Sequence, residues 1–412
     1  MFSAFKKRGA FMALLFSFAL VAAACAEDEP AATSTAAPAT TTVAPTTAAP
    51  TTAAPTTAAP TLPPPEPGRE ISACQVSDTG GIDDASFNAS AWAGAQRAEA
   101  ELEGVSIAFL ESGDAADYRP NIDAFIAEGC DVVLTIGFLL ADDTAAAAAD
   151  NPDQLFAIVD QAPGPFPPWA DAEGNMLSDF ANLRGLTFST DEAAFLAGYM
   201  AAGASETGVV GTFGGLPIPP VTIFMDGFVR GVDYYNTVKG TSVVALGYDV
   251  ESGEGQFTNN FDSLDDGRSF AETLVNNGAD IVLPVAGPVG LGSAALCQDT
   301  GACLIVGVDA DWNATAPEFS DVILTSILKN IDVAIFNTIN NVLVLESLGN
   351  PFNGTLGNGG VGLAALQDNA DSVSAELAQE VADLTATLVA AQEAGTWTGI
   401  ADWVSAMAAT DG

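Results

Sequence analysis

The chain has 412 residues, with 53 acidic and 11 basic side chains, no histidine, and a net charge of −42. So acidic a surface excludes nucleic acid as a partner, which needs a basic face, and it fits poorly with electrostatic docking on anionic lipid. Without histidine, and with this cysteine spacing, the chain cannot build a Cys/His metal cluster, and no cofactor is expected.

Residues 1–24 read as a signal peptide. Lys6-Lys7-Arg8 is the basic head, and Phe11 to Leu20 is an apolar run too short to span a bilayer. Val21-Ala22-Ala23-Ala24-Cys25 resembles a bacterial lipobox, which makes Cys25 the first mature residue and its lipidation site. Two or more acyl chains there would anchor the protein stably to the extracytoplasmic face of the cell membrane. No later stretch is apolar enough to cross a membrane. Residues 25–69 form a Thr/Ala/Pro tract with prolines at 45, 50, 55 and 60. Such a tract cannot bury a core and reads as a disordered stalk.

A regular alternation begins at Ile71. Strand-like runs at Ile71–Val76, Ser106–Leu110, Val132–Ile136, Leu155–Val159 and Gly185–Phe188 alternate with helix-like runs at Ala89–Leu102, Tyr118–Glu128 and Leu139–Ala149. Residues 161–183, rich in proline, read as a surface insertion. A second series then runs from the helix at 192–203 through strands at 209–213, 242–246, 281–285, 304–308 and 322–328, with helices between, to final helices at 332–348 and 374–393. Alternation of this kind means parallel sheets with helices on both faces. The series is too long for one open sheet, so two doubly wound lobes with a ligand cleft between them are expected. The expected division is 70–205 with 325–412 in the first lobe, unless some C-terminal segments cross over, and 206–324 in the second. Export permits disulfides: Cys297 and Cys303 bracket a short polar loop, while Cys74 and Cys130 either pair or stay as buried thiols.

The chemistry concentrates in the turn after the first strand, Ser77-Asp78-Thr79-Gly80-Gly81-Ile82-Asp83-Asp84-Ala85-Ser86-Phe87-Asn88. Ligands of open α/β sheets collect at such strand-to-helix turns. Asp78 sits where its side chain reaches a cleft, and Phe87 beside Asn88 can stack on a flat ring while the polar groups bond its edge. Asp83 and Asp84 suit the start of a helix, with Asp84 or Ser86 as its cap. A competing reading takes Gly81 to Ala85 as part of the calcium-binding opening of nucleoside hydrolases. Ser77 and Thr79 stand where that family has aspartates, and the catalytic histidine has no counterpart, so a binding protein rather than an enzyme is expected.

The whole turn, with Trp92 and Gly94 after it, resembles the signature of the basic membrane protein family, the purine nucleoside receptor-like lipoproteins that serve ABC transporters. The resemblance runs colinearly through Phe156–Asp160, Gly211–Pro217, Phe224-Met225-Asp226-Gly227-Phe228, Asp280–Val282 with Gly287 and Gly290, Gly307–Asp311 and Thr325–Asn330. The insertion at 161–183 and Trp312 depart from it. The resemblance implies a type I periplasmic-binding fold, its lobes joined by hinge crossovers. It also implies Asp78 and Asn88 on the edge of a base, Phe87 stacking on it, Asp160 on the base, and Asp309 with Lys329 near the ribose. Phe224, or alternatively Val285, offers a second stacking face, and Gly287 close backbone approach. Lys329, one of two lysines in the mature chain, needs a partner if buried, and Asp309 is the expected one.

The expected function is therefore that of a lipid-anchored solute receptor. It would bind a nucleoside, purine foremost, between its lobes and deliver it to an ABC permease. A ligand sensor built on the same fold is the alternative, since fold does not fix function.

Overall fold

The computed structural model describes Glu66 and residues 68–410. The signal peptide, Cys25 and nearly all of the expected stalk lie outside the described residues. Among those that are described, no helix is long and apolar enough to cross a membrane.

The first series folds as β1 (Ile71–Ser77), α1 (Phe87–Glu101), β2 (Val105–Leu110), α2 (Tyr118–Glu128), β3 (Val132–Ile136), α3 (Ala141–Asp150), β4 (Leu155–Val159) and β5 (Leu183–Phe188). The second contains α4 (Thr190–Ala204), β6 (Val209–Gly214), α5 (Pro219–Lys239), β7 (Val244–Leu246), α6 (Leu264–Asn276), β8 (Ile281–Val285), α7 (Val289–Thr300), β9 (Leu304–Asp309), α8 (Trp312–Thr315) and β10 (Ile323–Lys329). The chain ends in α9 (Ile331–Leu345), β11 (Phe352–Gly354), β12 (Val361–Leu363), α10 (Ala375–Glu393) and α11 (Ile400–Thr410). Two six-stranded sheets result, ordered β11-β5-β4-β3-β1-β2 and β12-β10-β9-β8-β6-β7. Every pairing is parallel except β10 with β12. The central strands are buried throughout, as in Val132-Val133-Leu134-Thr135-Ile136, because helices cover both faces.

The expected lobe boundary needs correcting. Helix α4 packs on α5 and on β10 and β12, so it belongs to the second lobe, and the chain crosses at Ser189 rather than near 205. Its close fit to α5 depends on missing side chains: a Cβ on Gly198 would stand 2.0 Å from the Phe228 carbonyl oxygen, and one on Gly231 would stand 2.1 Å from that of Phe195. The segment 325–412 is also shared out. β10 and β12 join the second sheet, β11 joins the first, and α9 returns to pack on α1. The lobes are thus joined by three crossings, at Ser189, at Asn330 and at residues 355–360. Backbone bonds tie the crossings together, Ser189 N to Gly354 O at 2.8 Å and Asn330 N to Gly360 O at 2.9 Å. The buried Glu192 carboxylate braces the third by accepting from Leu356 N at 2.8 Å and Trp397 Nε1 at 3.1 Å.

Residues 161–183 run largely over the surface, as their prolines suggest, but they are anchored by buried side chains that the prolines do not announce. Trp169 is fully buried and meets Phe180 edge to face, with ring centroids 5.4 Å apart, in the cluster that also holds Ile158 and Leu183. The segment therefore covers one face of the first sheet. Both cysteine pairs are disulfides, Cys297–Cys303 and Cys74–Cys130, the latter linking β1 to the start of β3.

Candidate ligand cleft between the lobes

The turn after β1 is built around Asp84. Its carboxylate accepts from the backbone N–H groups of Ser86, Asn88 and Ala89 at 2.8–2.9 Å, which caps α1. Asp83 stays exposed and takes no part. Capping by Asp84 fixes Phe87 and Asn88 in the first turn of α1, beside Asp78. Asn88 Nδ2 donates to Asp78 Oδ1 at 2.8 Å. The other oxygen of Asp78 lies against Gly137, just past β3, where a Cβ would come within 2.4 Å of it. Gly137 also has φ +120°, so both its backbone and its missing side chain suit the place.

Asp160 follows β4 of the first lobe and Asp309 ends β9 of the second. Both are in the left-handed region, with φ of 66° and 67°. Aspartate tolerates that region better than most residues, and strain of this kind clusters at functional sites. Lys329, at the end of β10, donates to Asp160 Oδ2 at 2.6 Å, with both side chains nearly inaccessible. Its ammonium also lies 4.8 Å from the Phe87 ring centroid, 5.5 Å from that of Phe188 and 5.9 Å from that of Phe224. The expected pairing of Lys329 with Asp309 is therefore wrong. In the β9–β10 register Asp309 stands opposite Leu328, so Lys329 is one residue out of step and reaches across to the first lobe instead.

Burial dominates the electrostatics. It pushes the Asp78 carboxyl up to about 8, with the Asn88 hydrogen bond acting against it. It raises Asp309 to about 6 and also raises Asp160, and in both the Lys329 charge is the main opposing influence. Asp78, Asp160 and Asp309, with the helix-capping Asp84 also on the cavity wall, thus share one cation.

All eight residues singled out from the sequence, Asp78, Phe87, Asn88, Asp160, Phe224, Gly287, Asp309 and Lys329, line one cavity between the lobes. Phe87 enters from the first lobe on α1 and Phe224 from the second on α5; Val285 lines the same space. Sequence reasoning missed Gly137, Phe138, Ile218, Val221 and Phe261. Gly137 and Phe138 follow β3 just as Asp78 follows β1, so the strand-end rule would have found them. Phe261 lies in an irregular stretch that carried no signal. Among the described residues, no group of three or more His, Cys, Asp or Glu side chains is arranged to hold a metal ion. The cavity suits an uncharged, flat, donor-rich molecule of modest size.

Two doubly wound lobes, three crossings and a buried cleft at the carboxyl ends of the strands define a two-lobed solute-binding protein. A family model described as ABC transporter substrate-binding protein PnrA-like matches residues 71–389, and the chain belongs to that family. Basic membrane protein A of Borreliella burgdorferi is 30% identical over 78% of this chain and 87% of its own. The ABC transporter nucleoside-binding protein BmpA of Lactococcus lactis subsp. cremoris is 28% identical over 65% of this chain and 73% of its own. A solved ABC transporter solute-binding protein from Aeropyrum pernix K1 superposes with a TM-score of 0.67 at 25% identity, covering 78% of this chain and 92% of that one.

Proposed function

We propose that this protein is the receptor of an ABC importer for nucleosides, with purine nucleosides the preferred class. It is held by a lipid on Cys25 at the extracytoplasmic face of the membrane and hands its ligand to a permease. The observation that carries the reading is the pairing, in one cleft, of an aromatic ring from each lobe with a polar edge from each lobe. Phe87 and Phe224 would stack on the base, and Asp78 with Asn88 would meet its edge. Asp160, Asp309 and Lys329 would meet the remaining polar atoms, ribose hydroxyls among them. The relative from Lactococcus lactis, described as nucleoside-binding, supports the same class of ligand.

A thermal-shift and calorimetric screen of the purified protein against nucleosides, free bases, sugars and amino acids tests this. A nucleoside at about 100 times its Kd should stabilise the fold by about 2.7 kcal/mol. Stabilisation by a sugar or an amino acid but by no nucleoside would overturn the reading. Retention of inosine by Phe87→Ala with unchanged affinity would remove the stacking role.

A further inference from the structure

Ser86 occupies the N-cap position of α1, yet its hydroxyl caps nothing. Asp84 has taken the amides that an N-cap serine would ordinarily bind. The freed hydroxyl points across the cleft instead. Its oxygen lies 3.1 Å from Asp309 Oδ2 and 3.2 Å from the Val308 carbonyl oxygen, both on β9 of the opposite lobe. Ser86 is 1% exposed. Among the described residues, no other group donates a hydrogen bond to the Asp309 carboxylate.

We infer that Ser86 is a latch between the lobes: its hydroxyl holds the cleft closed by binding Asp309 and sets that carboxylate for the ligand. The Lys329–Asp160 bridge lies in the same cavity and runs the other way, from a second-lobe donor to a first-lobe acceptor. Two reciprocal bonds therefore cross one cleft, and the serine bond lies further from the crossing at Asn330 along the chain than the lysine does. The ion pair is buried and charged at both ends, whereas the serine bond is neutral on one side. Removing it strips Asp309 of its one donor only while the cleft is closed, since an open cleft lets water take that place, so the loss falls on the closed form. Ser86 acts through Asp309 and is a positioning residue. This inference rests on the cleft being the ligand site, but its first test requires no ligand.

Fluorophores are placed by unnatural amino acids at exposed positions, Glu99 on the first lobe and Glu272 on the second, and interlobe distance is read by single-molecule energy transfer on the full protein. Without ligand, the wild type should populate a short-distance form. Ser86→Ala should lower the closed-to-open ratio about tenfold, which corresponds to one hydrogen bond to a charged acceptor. Ser86→Thr, which keeps the hydroxyl, should retain the wild-type ratio. The helix content of Ser86→Ala should be unchanged, because Asp84 does the capping. With inosine as probe, Ser86→Ala should raise the dissociation rate about tenfold and leave the association rate within about twofold. A wild type with no short-distance form, an unchanged ratio in Ser86→Ala, or equal shifts in the Ala and Thr variants would each refute the latch. Failure of inosine and of every other nucleoside to bind the wild type would defeat the nucleoside reading alone, and the ligand-free distances would still decide the role of Ser86.

Discussion

Asp78→Asn should stabilise the protein while weakening its binding. The side chain keeps its shape, and an amide oxygen can still accept from Asn88 Nδ2, which now stands 2.8 Å from the carboxylate. What the substitution removes is a group that resists ionising. Burial raises the Asp78 carboxyl from 3.8 to about 8. Between those values the folded state holds a proton that the unfolded state has released. Wild-type stability should therefore fall as pH rises through this window, by about 1.4 kcal/mol per unit, and level off above pH 8. The accumulated cost is about 4 kcal/mol by pH 7 and about 6 kcal/mol across the whole window, as upper bounds. The asparagine variant lacks this term, so its advantage should be near zero at pH 4 and grow toward pH 8. Urea unfolding of both proteins at pH 4, 6 and 8 measures it. A pH-independent difference, or a variant less stable at pH 8, would refute the argument. A carboxyl this costly, kept in a ligand cavity, is best explained by use, and inosine affinity should drop in the same variant.

Lys329→Met leaves Asp160 and Asp309 without their one nearby cation, and breaking a buried pair in this way costs about 3–5 kcal/mol. The same carboxyls can shed the penalty by protonating, so the loss in urea unfolding should be smaller at pH 5 than at pH 8; equal losses would show that Lys329 contributes by packing alone. Replacing both cysteines of a disulfide by serine should cost about 4 kcal/mol for the Cys74–Cys130 loop and about 2 kcal/mol for the short Cys297–Cys303 loop, from loop length alone. Thermal unfolding of the two double variants checks that order, and a reversed order would point to strain or residual structure outweighing chain entropy.

Much of this architecture was legible because parallel strands leave a plain trace. Runs such as Val132–Ile136 are apolar on both faces, and the residues that follow them fall at one end of the sheet, where Asp78, Asp160 and Asp309 all lie. The lobe boundary was not legible. Only Ser189 separates β5 from α4, so the crossing has no linker composition, and a helix as uniformly buried as α4 carries no stripe to say which sheet it covers. Lys329 lies 20 residues from Asp309 and 169 from Asp160, and nearness along the chain favoured the wrong partner. Strand register decided it. Trp169 was hidden by the prolines around it, because proline-rich composition reports on backbone freedom and says nothing of what a single large side chain fills.

The local charge of the cleft carries more information about the ligand than the global charge of the chain. The excess of acids over bases is spread over a solvated surface, where screening confines each charge to about 10 Å at ordinary ionic strength. Inside the cavity, Asp78, Asp160 and Asp309 face a single lysine, and that lysine is already bonded to Asp160. A ligand carrying a phosphate would bring a further negative charge into a poorly solvated space with no free cation among the lining residues to meet it. A neutral ligand whose edge offers N–H or O–H groups relieves the same carboxyls by donating to them, and in doing so it draws Asp78 toward its ionised form. Binding of such a ligand near pH 7 should therefore release protons, and the observed heat should vary with the ionisation enthalpy of the buffer. The preference for an uncharged, donor-rich ligand thus rests on the cleft carboxyls and their one lysine, without reference to any relative.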